Sequence, residues 1–404
     1  MSSILDILSP VPRDNSVVGM HLHSYLPNNS SFQKLDEIRI PVQNQPSFLY
    51  PHESLLYIEG KLSQIVPETV NKVTLTRNFL LFLFSEIKLE VNGFCVDSIR
   101  SPGHAVTMKQ YVSEQYGDDA LLSEMGSVKL EMKKDGAFSY CIPLKYLMGF
   151  FQDYTKIMIY TRMELVFTRS RTDKNCCYHE PAAGGVQCTD INIEILKIAW
   201  KMVHVEAKDV YKLKLLKILE KGKWIQLFFR AWDYTEFPNI PTSDKVNWQV
   251  KNASPVDRPL FVIVGFQQDR RENVTKDASK FDHCQLTDCR LYLNSQRYPA
   301  ESLDLDFQRN KFSTAYNLFS SFQSAYYGES GKQKLSMSEY KDTASLIVFD
   351  CSNSDPSIKV SSVDIRLEFT FSQPLGQKVT ASCLLIHEKI VNYNPFTNLI
   401  EKQM

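Results

Sequence analysis

Apolar and polar residues alternate with period two through most of the chain. Ile87, Leu89 and Val91 share one phase, and Lys88 and Glu90 take the other. Successive strand side chains point to opposite faces, so this pattern buries one face and wets the other, as antiparallel sheet does. Asn92-Gly93 follows, then Phe94, Cys95, Val96 and Asp97. Asn-Gly between alternating runs predicts a type I′ hairpin, because both central residues need positive φ. A second run sets Val363, Ile365, Leu367, Phe369 and Phe371 against Asp364, Arg366, Glu368 and Thr370. Further strands are predicted over 54–62, 156–168, 192–206, 224–230, 260–267, 344–350 and 381–393. Helices are few and short, over 106–113, 144–152 and 313–325; the last sets Tyr316, Phe319 and Phe322 on roughly one face. Many strands with helices confined to loops predict an all-β sandwich or barrel.

The two halves echo each other. EIKLEVNGFCVD and DCRLYLNSQRYP are both strand, asparagine turn, strand, and the turn residues Asn92 and Asn294 lie 202 positions apart. MELVFT at 163–168 resembles LEFTFS at 367–372, with Glu164 and Glu368 separated by 204. Two echoes in order at nearly one offset point to two copies of one β-domain; chance likeness between amphipathic strands is the competing account. The junction is expected over 207–222, AKDVYKLKLLKILEKG, as a strand or a short helix. Its lysines could meet an acidic partner or nucleic acid. Glu206, Asp209 and Glu220 interrupt the charge, which favours a solvated face instead.

The chain has 404 residues, room for two or three domains or two large all-β ones at about 150 residues per domain. Hydrophobic residues make up 43% and charged residues 23%, an ordinary globular balance. The longest apolar run, 79–84, falls far short of the roughly 18 residues a membrane helix needs. Lys plus Arg is 46 and Asp plus Glu is 46, so the positive excess expected of a surface that grips nucleic acid throughout is missing. The first residues carry neither a basic nor an apolar signal region, so no secretion is expected. Nine scattered cysteines then read as reduced thiols of a cytosolic or nuclear setting, and the sequons at Asn28, Asn29, Asn252 and Asn273 as chance matches.

Catalytic signatures are missing. There is no G-x-S-x-G elbow, H-E-x-x-H helix, G-x-G-x-x-G or phosphate loop. His52-Glu53 and His387-Glu388 lack a second histidine four residues on and read as structural. Cys176, Cys177, His179 and Cys188 could together make a tetrahedral zinc site, but adjacent cysteines are awkward ligands and the C-x₂-C knuckle is absent. His283, Cys284 and Cys289 form a weaker set, with Cys289 in a strand's apolar phase. Asp304 and Asp306 alternate with Leu303 and Leu305; as a glycosidase pair they would need a cleft with aromatic platforms, and solvated acids are the simpler account. The many aromatics mostly occupy the apolar phase of strands, which favours packing over stacking on bases. Tyr326-Tyr327-Gly328 stands out as a possible exposed contact for another subunit. No catalytic, cofactor-binding or metal-binding residue is assigned, and no cofactor or enzymatic activity is expected.

FLFSEIKLEVNG, IRSPGHAVTMKQYVS, RPLFVIVGFQ, FDHCQLTDCRLYLNSQRYP, FQSAYYG and FDCSNSD, taken in order, resemble the double jelly-roll-like domain proteins of animal genomes. Those proteins resemble in turn the major capsid proteins of polinton-like (Maverick, adintovirus-like) double-stranded DNA viruses. The likeness spans about 36–394. It implies two eight-stranded jelly rolls in tandem: an N-terminal arm at 1–35, a first roll at 36–207, a linker at 208–222, a second roll at 223–396 and a tail at 397–404. It further implies a homotrimer serving as a pseudo-hexagonal capsomer of an icosahedral virion, with penton and minor capsid proteins as partners and double-stranded DNA enclosed without specific binding. Assembly would take place in the host nucleus or cytoplasm. A domesticated cellular binding protein that forms no particles is the alternative. The long connections 173–190, 268–280 and 328–342 are candidates for the outward face.

Overall fold

The computed structural model describes residues 16–43, 47–64, 73–115, 123, 125–126, 136–179, 191–250, 259–294, 296–328, 333–352, 363–376 and 378–402. In the first half, β1 (Val17–Tyr25), β10 (Ile191–Ala207), β3 (Phe48–Gln64) and β7 (Ala137–Pro143) form one antiparallel sheet in that order. The second sheet runs β2 (Glu37–Val42), β8 (Met163–Arg169), β5 (Phe84–Val91), β6 (Phe94–Arg100). In the second half one sheet runs β11 (Ile225–Phe237), β18 (Val379–Tyr393), β13 (Pro259–Gln268), β16 (Ile347–Asp350). Its mate runs β12 (Lys245–Val250), β17 (Ile365–Phe371), β14 (Leu286–Leu293), β15 (Gln296–Tyr298). Taken in chain order, the eight strands of each half occupy the same places in the two sheet orders. This is a jelly roll written twice. A short pair, β4 (Val73–Leu75) with β9 (Cys177–His179), and β19 (Ile400–Lys402) on the end of β18 are additions to the repeat.

The echo in the sequence is carried by one device used twice. Asn92 and Asn294 sit at φ 49° and 53°, left-handed values that asparagine tolerates better than most residues. Asn92 N donates to the Arg162 carbonyl at 2.8 Å, and its Oδ1 accepts from Arg162 N at 2.9 Å. Asn294 N donates to the Asp364 carbonyl and its Oδ1 accepts from Asp364 N, both at 2.9 Å. Each turn is thereby clamped to the residue just before β8 or β17. With few glycines in the chain, eight of the fifteen non-glycine residues with positive φ among the described residues are Asn or Asp.

Several elements differ from the sequence expectation. The strand predicted over 156–168 begins at Met163, because Tyr160 turns to φ 50° and breaks the ladder. The helix predicted over 144–152 is a 3₁₀ turn, Leu144–Tyr146, and a separate helix, Gly149–Asp153, divided by Met148 in extended conformation. The helix expected from 106 starts at Pro102, whose fixed φ suits a first helical position. Within the expected arm, 17–25 is β1, the edge strand paired with β10 from Ala207 back to Trp200, so the first sandwich begins before residue 36. The linker holds a helix, Asp209–Leu219, and the expected tail supplies β19.

The chain crosses between sandwiches at one end. Lys208 N donates to the Ser16 carbonyl at 3.0 Å, and Asn394 Nδ2 to the Gly222 carbonyl at 3.3 Å, so β1's start, the linker and β18's finish lie together. Of the candidate outward loops, 268–280 and the described part of 173–190 lie at the opposite end; residues 180–190 and 329–332 of the candidates lie outside the described residues. His179 N reaches the Val274 carbonyl at 2.9 Å and Glu272 N reaches Asn175 Oδ1 at 2.7 Å. Between these ends a single apolar core runs through both halves.

Candidate functional site: the seam between the sandwiches

The sequence candidates for chemistry do not converge on one site: His283 and Cys284 line one surface pocket beside Asp282 and Lys341, and Asp304 lines another beside Asp288 and Arg290. Cys176 and Cys177 are buried, and burial holds the Cys176 thiol well above its ordinary range. His179 ends β9, and Cys188 lies outside the described residues. Among the described residues no group of three His, Cys, Asp or Glu side chains is placed to hold a metal. His283 stacks on Phe307 at 4.7 Å, burial pushes the Cys284 thiol up to about 12, and Cys289 lies in the core. Asp304 pairs with Lys311, and the Asp306 carboxylate accepts from Arg309 N at 3.0 Å, so both acids close one surface turn. His52 Nδ1 bonds the Phe151 carbonyl at 2.7 Å, and His387 Nε2 meets Asp233 at 3.0 Å.

The polar side chains that converge do so where the two sandwiches meet. Helix Gly149–Asp153 of the first half lies on β11 of the second. Gly149 is required there: a Cβ on it would stand 1.7 Å from the Arg230 carbonyl oxygen. One residue on, Phe150 meets Phe229 edge-on at 5.5 Å, while Phe151 meets Trp200 at 6.2 Å. All four rings are buried, each worth about 2 to 3 kcal/mol of transfer free energy. Asp153 closes the helix with a two-pronged pair to Arg230, Oδ2 to Nε at 2.8 Å and Oδ1 to Nη2 at 2.7 Å. Arg230 also donates to the Tyr326 carbonyl at 2.6 Å, and its guanidinium lies 3.5 Å from the centre of the Tyr326 ring.

Beside this pair the helix Pro102–Ser113 sends two cationic or titratable groups across the seam. The Lys109 ammonium is buried among the rings of Tyr326, Tyr327, Phe322 and Trp232, at 4.0 to 5.3 Å from their centres. It donates to Ser113 Oγ at 2.7 Å and Tyr327 Oη at 3.1 Å. Burial lowers its pKa, and the negative ring faces offset part of that cost. His104 accepts from Arg271 Nη1 at 3.1 Å through Nδ1; burial first, and the guanidinium second, hold it well below the usual imidazole range, so the ring stays neutral. Arg271 continues to Tyr234 Oη at 2.6 Å and Glu236 at 2.9 Å. Tyr326 and Tyr327 therefore serve mainly to join the chain's own halves. The expected outer contact is corrected on this point: Tyr326 is buried, although Tyr327 keeps an exposed edge.

Asp97, on β6, accepts from Phe150 N at 3.0 Å and Ser98 N at 2.9 Å. Burial pushes its carboxyl up to about 6 against the pull of Lys389 and those two N–H groups. The folded state therefore holds this proton more tightly than the unfolded chain, whose carboxyl titrates near about 4. The contribution is full below that value and is lost as pH rises through about 6, a cost on the order of 3 kcal/mol at neutral pH. Asp97→Asn is expected to flatten the profile of Tm against pH over about pH 4 to 6. His104, whose depressed value acts in the opposite sense, is common to both chains and drops out of the difference. Parallel profiles for parent and variant would refute the assignment.

Sequence reasoning missed Lys109, Gly149, Asp153, Arg230 and Arg271, since each sits in an unremarkable local pattern. One signal was available. On a helix, Lys109 falls three or four positions from Ala105, Val106 and Val112, which sets it in an apolar stripe.

A seam of rings, paired charges and one close backbone contact, without an exposed nucleophile among these residues, provides cohesion. Known structures share the overall fold. VP54 of PBCV-1, solved as fitted into a reconstruction of the virophage Sputnik, aligns over 98% of this chain and 99% of its own, at TM-score 0.63 and 10% identity. The Faustovirus major capsid protein aligns over 95% and 92%, at TM-score 0.58 and 9% identity. The mavirus major capsid protein aligns over 100% and 93%, at TM-score 0.56 and 11% identity. No curated protein matches the sequence. The likeness to these structures is one of fold, and a match in sequence agrees with it: residues 73–391 fit the model of the double jelly roll-like domain, and the chain belongs to that family.

Proposed function

We propose that the chain is a major capsid subunit of a polinton-like (Maverick, adintovirus-like) double-stranded DNA virus or its integrated copy. The observation that carries this reading is the repeated strand order in two sandwiches locked along one seam. Three such blocks around a threefold axis place six similar rolls in a ring, a pseudo-hexagonal tile. Capsid proteins among the structural neighbours support it. Zero formal charge suits close packing of like subunits, which a large net charge would oppose. On this reading the division is two rolls joined through 208–222, and the chemistry is self-association without catalysis. Penton and minor capsid proteins complete the shell in the host nucleus or cytoplasm, and the virion encloses DNA without specific contacts. Among the described residues no helix is long and apolar enough to cross a membrane.

Sedimentation of the purified chain at micromolar concentration is the test, with negative-stain microscopy of the same sample. A homotrimer with a hexagonal outline is expected, burying more than about 2,000 Å² as permanent interfaces do. A monomer that forms no particles at any salt concentration would overturn the reading.

A further inference from the structure

The linker end of the molecule combines exposed apolar side chains with dense positive charge. Of the seventeen large apolar side chains exposed among the described residues, eight fall within 210–228 and 396–399. Val210, Leu213, Trp224 and Phe396 are 62%, 58%, 42% and 76% exposed. Single exposed leucines are ordinary, but a gathering of this kind marks an interaction surface. The linker and the residue after it, 208–223, hold six lysines against two acids, so a chain of zero formal charge carries +4 here. Among the described residues only Lys212 of these six has an ion-pair partner, Asp209 at 3.6 Å. The linker helix meets the protein through Leu215 and Leu219, which pack on Phe48, Ile159 and Val205. Leu213 and Leu216 form a ridge away from that contact, with lysines on both flanks.

We propose that this end docks on an anionic lipid bilayer surface. A second copy of the helix is a poor occupant. Antiparallel pairing centred between Leu213 and Leu216 sets Lys212 against Lys217 and Asp209 against Glu220, like charge on like. Duplex DNA would satisfy the lysines and leave Val210, Leu213 and Phe396 in water. A bilayer interface takes both, with aliphatic and aromatic side chains in the headgroup boundary and ammonium groups among anionic headgroups. The apolar side chains come from three separate segments at one end, which fits a broad surface better than a single peptide. The inference does not depend on shell assembly.

The test is co-sedimentation of the full chain with phosphatidylcholine vesicles, with the same vesicles containing about 30% phosphatidylserine, and with a duplex oligonucleotide. Binding to the anionic vesicles alone, weakened by salt, is expected. Lys214→Gln with Lys217→Gln should lower it roughly 30-fold. Leu213→Ser with Leu216→Ser should lower it at least about tenfold without moving Tm, since neither side chain is in the core. Failure to bind anionic vesicles, binding to the duplex in their place, equal binding to neutral vesicles, or loss of self-association by the leucine variant would each overturn the proposal.

Discussion

A Gly149→Ala chain is expected to lose the docking of one sandwich on the other. The added carbon would lie 1.7 Å from the Arg230 carbonyl oxygen and 2.7 Å from its carbon, both backbone atoms of β11. No side chain can swing aside to admit it. Helix Gly149–Asp153 must lift until the contact reaches about 3.5 Å. That movement pulls Asp153 from Arg230, Phe150 from Phe229, and the Phe150 N–H from Asp97. The cost is expected at about 3 kcal/mol or more, at the upper end of overpacking effects. Urea unfolding of the parent and the variant reads it directly as a shift in midpoint at unchanged slope. Gly222→Ala is the control. Gly222 has φ 62°, and no atom lies within 4 Å of where its Cβ would stand, so it should lose only about 1 kcal/mol, through backbone strain. Equal, small losses for the two variants would show that the close contact is not what holds the seam.

Arg230→Ala comes second in size. It leaves the Asp153 carboxylate without its two-pronged partner, and the Tyr326 carbonyl without its donor, in a place where both ionic side chains are more than three-quarters hidden. Removing one member of such a pair costs about 3 kcal/mol, most of it from the charge left behind. Asp153→Asn alone should cost less, because Oδ1 can still accept. The double variant should fall short of the sum by about 1 to 3 kcal/mol. Strict additivity in this cycle, measured by the same urea titrations, would mean that the two groups do not act as a unit. Replacement by lysine should not rescue, since an ammonium cannot reproduce the planar fork or stack on Tyr326.

Much of the fold was legible because strands announce themselves by alternation. The β5–β6 hairpin, β17 and the half-chain offset were readable, and the asparagine clamp explains why Asn92 and Asn294 were the visible landmarks. β1 was hidden. Its VVGMHLHSY run exposes Met20 and Leu22 and sets His21 and His23 in the phase of the half-buried Tyr25, so polarity and burial do not follow the usual rule. The split of the predicted helix at Met148 was hidden too, because what breaks it is the approach of β11, a contact between residues about 80 apart in the chain. Apart from Lys109, the seam left no trace in the sequence. Arg230 and Arg271 look like surface cations until the fold surrounds them with rings and carboxylates. The zinc candidates illustrate the converse, as Cys176 and Cys177 are adjacent in sequence yet both pack into the core.

Because every passage between the sandwiches lies at the linker end, the two poles of the molecule answer to different constraints. A residue added near 208–222 disturbs the covalent path, the β18 terminus and the start of β1 together. A residue added in the 268–280 connection disturbs the Arg271 contacts of the seam and the bonds of Glu272 and Val274 to the first sandwich, but leaves the covalent path alone. Lineages of this chain can therefore lengthen far-pole loops without moving the covalent junction, and a grafted epitope belongs in a far-pole loop position that carries none of the bonds joining the two sandwiches.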